Sequence, residues 1–199
     1  MTFSEFLNSI TGKILIQSIG FFAMTIGILS FQRKKRAAII GFQMTASTLW
    51  SIQFLLLGGF SGTIQNVLCI ARGFVLVQKG KRKWADSYYT LAAIISCFAA
   101  SGFITVGIEG AWALLPIGAS IASSVALFMD KEEILRKLSL IVSPLWLVYN
   151  VHTGSIAGIV AETFTIISIL IALFRYREKK VNQLQEESIR EDKPCDRSA

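Results

Sequence analysis

Residues 35–83 and 131–179 align as two copies of one three-helix unit, offset by 96 positions without a gap. Lys35 falls on Lys131, Ser47-Thr48-Leu49-Trp50 on Ser143-Pro144-Leu145-Trp146, Gly58 on Gly154 and Gly62 on Gly158. The basic residues Lys79, Lys81 and Lys83 fall on Arg175, Arg177 and Lys179. A long-period repeat narrows the fold more than any local pattern, because both copies must solve the same packing problem.

The solvent of that packing is lipid. The chain is 53% hydrophobic with a mean hydropathy of +0.56, too apolar for a soluble domain of 199 residues. A helix needs roughly 20 mostly apolar residues to cross the ~30 Å hydrocarbon layer. The sequence predicts seven spans, near 14–32, 37–58, 61–78, 88–107, 111–129, 138–152 and 155–174. The sixth is short and needs its flanks or a thinned bilayer.

Three spans per unit would invert consecutive copies, and the extra span 88–107 restores parity. The expected fold is therefore all-α and polytopic, two parallel three-helix repeats joined by a linker helix (3+1+3), a repeat class known among small-solute transporters. Its parts are an interfacial segment 1–13, a first repeat 14–83, a linker helix 84–110, a second repeat 111–176 and a cytoplasmic tail 177–199.

The net charge of +7 is distributed as a topology signal. Arg33, Lys34, Lys35 and Arg36 fill one loop, and Lys79, Lys81, Arg82 and Lys83 another. Lys131, Arg136 and Lys137 lie in a third, and Arg175, Arg177, Lys179 and Lys180 begin the tail. The alternate loops, 58–62, 108–110 and 152–155, hold no Lys or Arg. Basic loops stay cytoplasmic, which puts the N-terminus outside and the C-terminus inside. Topology anchoring explains these clusters better than nucleic-acid or lipid recognition. Expected partners are the bilayer, a small polar solute and, for so small a bundle, a second copy of the chain, with no nucleic acid.

Met1-Thr2-Phe3-Ser4-Glu5-Phe6 lacks the basic leader and cleavage site of a signal peptide. Phe3, Phe6 and Leu7 suit a short interfacial helix. Cys69, Cys97 and Cys195 offer no placed disulfide, and no ligand cluster marks a metal. No cofactor is expected. One histidine, no nucleophile elbow and no phosphate loop argue against an enzyme.

Polar side chains within spans are costly in lipid and so are candidate sites. Gln43, Ser47, Trp50 and Phe54 share a face of span two, with Gln53 beside it. Ser139, Ser143, Trp146 and Asn150 form the matching stripe of span six, with Tyr149 alongside. Facing each other, they would make a pocket with aromatic walls and amide or hydroxyl ends; the competing reading makes both tryptophans packing or interfacial residues. Asn66 and Glu162 occupy matching depths in spans three and seven. Glu162 could bind a cation, carry a proton or bond neighbouring hydroxyls, with Asn66 as its partner across the units.

Arg72 is the strongly basic residue well inside a span, on the face of Gln65 rather than that of Asn66. It could bind an anion, bridge the units or, in a splayed bundle, meet Glu162. Gln17 could face the pocket or bond a neighbouring backbone, and His152 reads as a surface histidine. Pro116 and Pro144 either kink their spans or act as hinges.

Gln17-x-x-Gly20, Ser30-Phe31-Gln32-Arg33-Lys34-Lys35-Arg36, Gln43, Trp50, Phe54-Leu55-Leu56-Leu57-Gly58, Asn66 and Arg72 resemble the YgjV-type bacterial inner membrane protein family. So do Leu115-Pro116, Ser143-Pro144-Leu145-Trp146-Leu147-Val148-Tyr149-Asn150, Gly154-Ser155, Gly158 and Glu162. The resemblance covers nearly residues 14–176 and implies an inner-membrane location without an established substrate. Leu49-Trp50 followed by Asn66 is more distantly similar to the tryptophan-and-asparagine pattern of SWEET and PQ-loop carriers. The chain departs from them in having no Pro-Gln pair and in placing Glu162 where sugar carriers have asparagine.

Overall fold

The computed structural model describes residues 9–30, 33, 35–129 and 132–171. The interfacial segment at 1–8, the tail beyond 171 and Cys195 lie outside them.

In hydrocarbon every backbone polar group must be satisfied within its own segment, so the apolar runs become helices. They are α1 (Ile10–Ser30), α2 (Arg36–Leu57), α3 (Phe60–Gln78), α4 (Tyr88–Glu109), α5 (Leu114–Met129), α6 (Glu132–Thr153) and α7 (Ile156–Ile171). One extra helical turn, Lys83–Asp86, precedes α4, and a 3₁₀ turn, Gly110–Ala113, precedes α5. Hydroxyls on these helices often return to their own carbonyls four residues back, as Ser18, Thr25, Thr45, Thr48, Thr163 and Thr165 do. Such groups are satisfied locally and drop out as site candidates.

Among the described residues four runs are long and apolar enough to cross a membrane: Ile10–Ser30, Ala37–Leu57, Phe60–Gln78 and Tyr88–Met129, with Ile156–Ile171 a shorter apolar helix. Against the expectation of seven separate spans, α4 and α5 form one apolar run of 42 residues. Straight, it would reach about 63 Å, twice the hydrocarbon layer. It instead reverses at Gly110 (φ +64°). The Tyr88 and Phe128 rings meet at 5.9 Å, and Gly102 lies against Ile117, so the run is an antiparallel hairpin. α6 is not among the apolar runs because Glu132, Glu133, Arg136 and Lys137 open it.

The connections sort to two ends. Three turns, at Gly58, Gly110 and Gly154, share one end, where Glu109 meets Ser61 and the Trp112 ring stacks on His152 at 4.2 Å. The connections holding Arg33 and Lys79–Arg82 lie at the other, where the Lys79 ammonium reaches the Phe128 carbonyl. These two basic connections and the three turns thus mark two ends, called below the basic end and the turn end; the tail's basic residues lie outside the described residues.

Two of the turns are the same structure. Gly58 and Gly154 both take left-handed φ (+79° and +73°), a conformation glycine enters without steric cost and the usual close of a helix. The Gly58 N–H donates to Leu55 O (3.2 Å) and that of Gly59 to Phe54 O (2.8 Å). The Gly154 N–H donates to Val151 O (3.3 Å) and that of Ser155 to Asn150 O (2.9 Å). One turn later glycine recurs for closeness: a Cβ on Gly62 would fall 2.9 Å from the Phe54 ring, and one on Gly158 would fall 1.9 Å from the Asn150 amide oxygen. The repeat seen in sequence is therefore a repeat of backbone hydrogen bonds at this turn.

Pro116 lies in the first turn of α5, where no intrahelical donor is lost. Pro144 is inside α6. Helix α4 packs against α3 and α5 along a narrow seam, burying only Phe98 and Thr105, while Phe103 and Tyr89 are 90% and 88% exposed.

Candidate functional site

At the turn end the α2–α3 hairpin and the α6–α7 hairpin hold each other through side chains. From α2, the fully buried Gln53 accepts from the Ser155 hydroxyl through Oε1 at 3.3 Å and donates through Nε2 to Gln17 Oε1 at 3.3 Å. Gln17 carries the link on, donating from Nε2 to the Gly154 carbonyl at 2.8 Å and accepting from the Ala157 N–H at 3.3 Å. From α6, the fully buried Tyr149 mirrors this. Its hydroxyl accepts from the Gly62 N–H at 2.8 Å and donates to Glu109 Oε2 at 3.1 Å, while Glu109 Oε1 accepts from the Ser61 N–H at 2.8 Å. The offset of 96 carries position 53 onto 149, so equivalent positions each reach across to the other hairpin's turn. A carboxylate over the first N–H groups of α3 also meets the positive end of that helix.

Below this layer lies an aromatic one. The Phe54 ring stands 5.9 Å from Trp146, 5.6 Å from Tyr149 and 6.1 Å from Trp50, in the tilted and offset arrangements aromatic pairs favour. The two tryptophans thus flank a phenylalanine, and in this arrangement they do not line the cleft described next.

Toward the basic end a small open cleft of about 20 Å³, room for roughly one water, lies between α2, α3 and α5. Gln43, Ser47, Cys69, Arg72 and Gly73 are among its lining residues, with Leu127 from α5. A Cβ on Gly73 would fall 2.5 Å from Met44 Cγ, so this glycine lets α2 and α3 approach beside the cleft. Arg72 donates from Nη1 to the Ser123 and Ser124 hydroxyls, both at 2.8 Å, and to the Ser120 carbonyl at 3.4 Å; its guanidinium carbon lies 5.7 Å from the centre of the Phe98 ring. It therefore ties α3 to α5 and makes no pair with Glu162.

Of the ten sequence candidates, Gln43 and Arg72 line the cleft, while Gln17, Gln53 and Tyr149 make the turn-end links. Trp50 and Trp146 belong to the aromatic layer. Asn66 donates to its own helix at Gly62 O (2.9 Å) and Asn150 to Trp146 O (2.8 Å). Glu162 takes the Ser143 hydroxyl. The expected pairing of Asn66 with Glu162 does not occur, because each finds a nearer partner.

Four participants were not singled out from sequence. Glu109 is the acidic residue of an otherwise uncharged connection, and Ser120, Ser123 and Ser124 form an i, i+3, i+4 stripe on α5. That spacing puts three oxygens on one helix face, which could have been matched to the intramembrane arginine.

A family model described as a bacterial inner membrane protein, Imp-YgjV, matches residues 14–180. No curated protein and no solved structure matches the chain.

Proposed function

Because the chain belongs to the Imp-YgjV family of bacterial inner membrane proteins, we propose that it is a carrier for a small polar solute, built as two parallel three-helix repeats around a linker helix. α1–α3 form the first repeat, α4 the linker and α5–α7 the second. The N-terminus faces out and the C-terminus the cytoplasm, which puts the basic end inside. The protein is a transporter rather than an enzyme.

One observation carries this reading: the hairpins meet at the turn end through reciprocal hydrogen bonds from equivalent positions, Gln53 to Ser155 and Tyr149 to Gly62. An interface made of a few bonds between matched halves can be broken on one side and made on the other, as alternating access requires. The arrangement corresponds to a carrier closed outside, with the cleft of Gln43, Ser47 and Arg72 at the cytoplasmic half.

A second reading has its own observation. Trp50 and Trp146 pack on Phe54, as they would in a non-transporting sensor or scaffold that inherited a duplicated bundle. Uptake into proteoliposomes across a panel of sugars, nucleosides and vitamins separates the two, comparing wild type with Glu162→Gln. Saturable uptake of one solute supports the carrier; a panel with no uptake leaves the scaffold.

A further inference from the structure

Among the described residues the cleft's cation has no carboxylate partner. Arg72 sits half-buried, twelve residues into α3, about 18 Å below the turn end at 1.5 Å per residue. Its hydrogen-bond partners among the described residues are neutral: two serine hydroxyls and one carbonyl. The carboxylates with described side chains are engaged elsewhere. Asp86 accepts from the Gly80 N–H, Glu109 is held at the turn end by Ser61 and Tyr149, and Glu162 by Ser143. A cation at membrane depth is costly unless a counter-charge joins it.

We propose that Arg72 is the recognition residue for a small monocarboxylate bound in this cleft. Its hydrogen bonds to the described residues all come from Nη1, so the fork of Nε and Nη2 is the part left for a carboxylate, whose two oxygens it matches. The Ser123 and Ser124 hydroxyls fix the guanidinium from the α5 side. Gln43 and Ser47, on the same cleft, supply an amide and a hydroxyl beside the carboxylate, and the rest of the ligand would leave through the cleft's open side. A single guanidinium balances a single negative charge, which favours a monocarboxylate over a phosphate ester. This deepens the carrier reading and rests on it for its physiological sense, while binding is testable separately.

The test is equilibrium binding of labelled acetate, lactate, pyruvate and valerate to the full chain in phosphatidylcholine nanodiscs. Competitors are the corresponding amides, inorganic phosphate and, in a parallel preparation, phosphatidylglycerol. The expected result is saturable binding of at least one acid that its amide does not displace, with affinity lowered about tenfold or more by Arg72→Gln. Arg72→Lys, which keeps the charge and loses the fork, should weaken binding less and still favour acid over amide. It carries the test should Arg72→Gln fail to fold. Binding of none of the four acids, displacement by the amide, stronger competition from phosphate or phosphatidylglycerol, or unchanged affinity in a folded Arg72→Gln would each overturn the proposal. Carboxylate binding without uptake would keep the anion site and remove the carrier; uptake of a neutral solute untouched by Arg72→Gln would do the reverse.

Discussion

The two hairpin turns share their backbone bond for bond and differ in what surrounds it. At the first turn, Gly62 lies against the rings of Phe54 and Tyr149; at the second, Gly158 lies against the flexible amide of Asn150. The first receives a tyrosine hydroxyl backed by a carboxylate; the second receives a glutamine shared with Gln17. Duplication has kept the geometry that closes the turn and let the cross-links diverge. The backbone is dictated by helix ending and glycine, whereas the partners are free to change so long as each buried polar group is satisfied.

The largest effect should come from Gly62→Ala. Its methyl would meet two rings, 2.7 Å from Tyr149 and 2.9 Å from Phe54, costing about 1–3 kcal/mol as a lower melting temperature in detergent. Gly158→Ala should be relieved by adding Asn150→Ala. A double-mutant cycle reads this as a coupling above about 0.5 kcal/mol, and additivity there would mean that the two turns are packed alike.

Tyr149→Phe comes next. It removes the hydroxyl between the Gly62 N–H and Glu109, leaving a buried donor unpaired at about 1–3 kcal/mol. Gln53→Met breaks contacts that are both 3.3 Å and should cost less, about 0.5–1.5 kcal/mol. Equal losses in the two melting curves would contradict the stronger link assigned to the first turn.

Thiol labelling sharpens the contrast between the ends. Cys69 lines the cleft while Cys97 is exposed on α4, where it would face lipid. A water-soluble maleimide should modify Cys69 faster than Cys97 in a Cys195→Ser background, because reaction needs a hydrated thiolate. Faster modification of Cys97 would mean that α4 does not face lipid. The smallest effect is expected from His152→Ala, which loses one exposed stack on Trp112 and should shift stability by less than about 1 kcal/mol.

Much of this was legible in the sequence. The apolar helices follow from patterns that lipid enforces, the matched turns at Gly58 and Gly154 follow from the repeat, and helix ends and turn glycines follow from the backbone alone. The partners of individual polar groups were less legible. Glu162 and Asn66 occupy matched positions, yet each is satisfied within reach of its own hairpin, and spacing along one helix cannot reveal a hydroxyl on another. The tryptophans share a depth, but whether a ring faces a cavity or a neighbouring ring depends on Phe54 filling the space between. Glu109 escaped notice because a lone acid near a helix end looks like a surface residue until the N-terminus of α3 arrives beneath it.

Helix α4 gives most of its flanks to the surroundings: it buries only Phe98 and Thr105 and otherwise holds the bundle through Ser101, which accepts from Gln65, and Glu109 at its end. Sliding one hairpin past the other would therefore strip little interior packing from this connector, because acyl chains would refill whatever it vacated. Swapping its outward apolar residues among themselves should be nearly silent, and bilayer fluidity, together with the polar ties at Ser101 and Glu109, should set how readily that strap shifts.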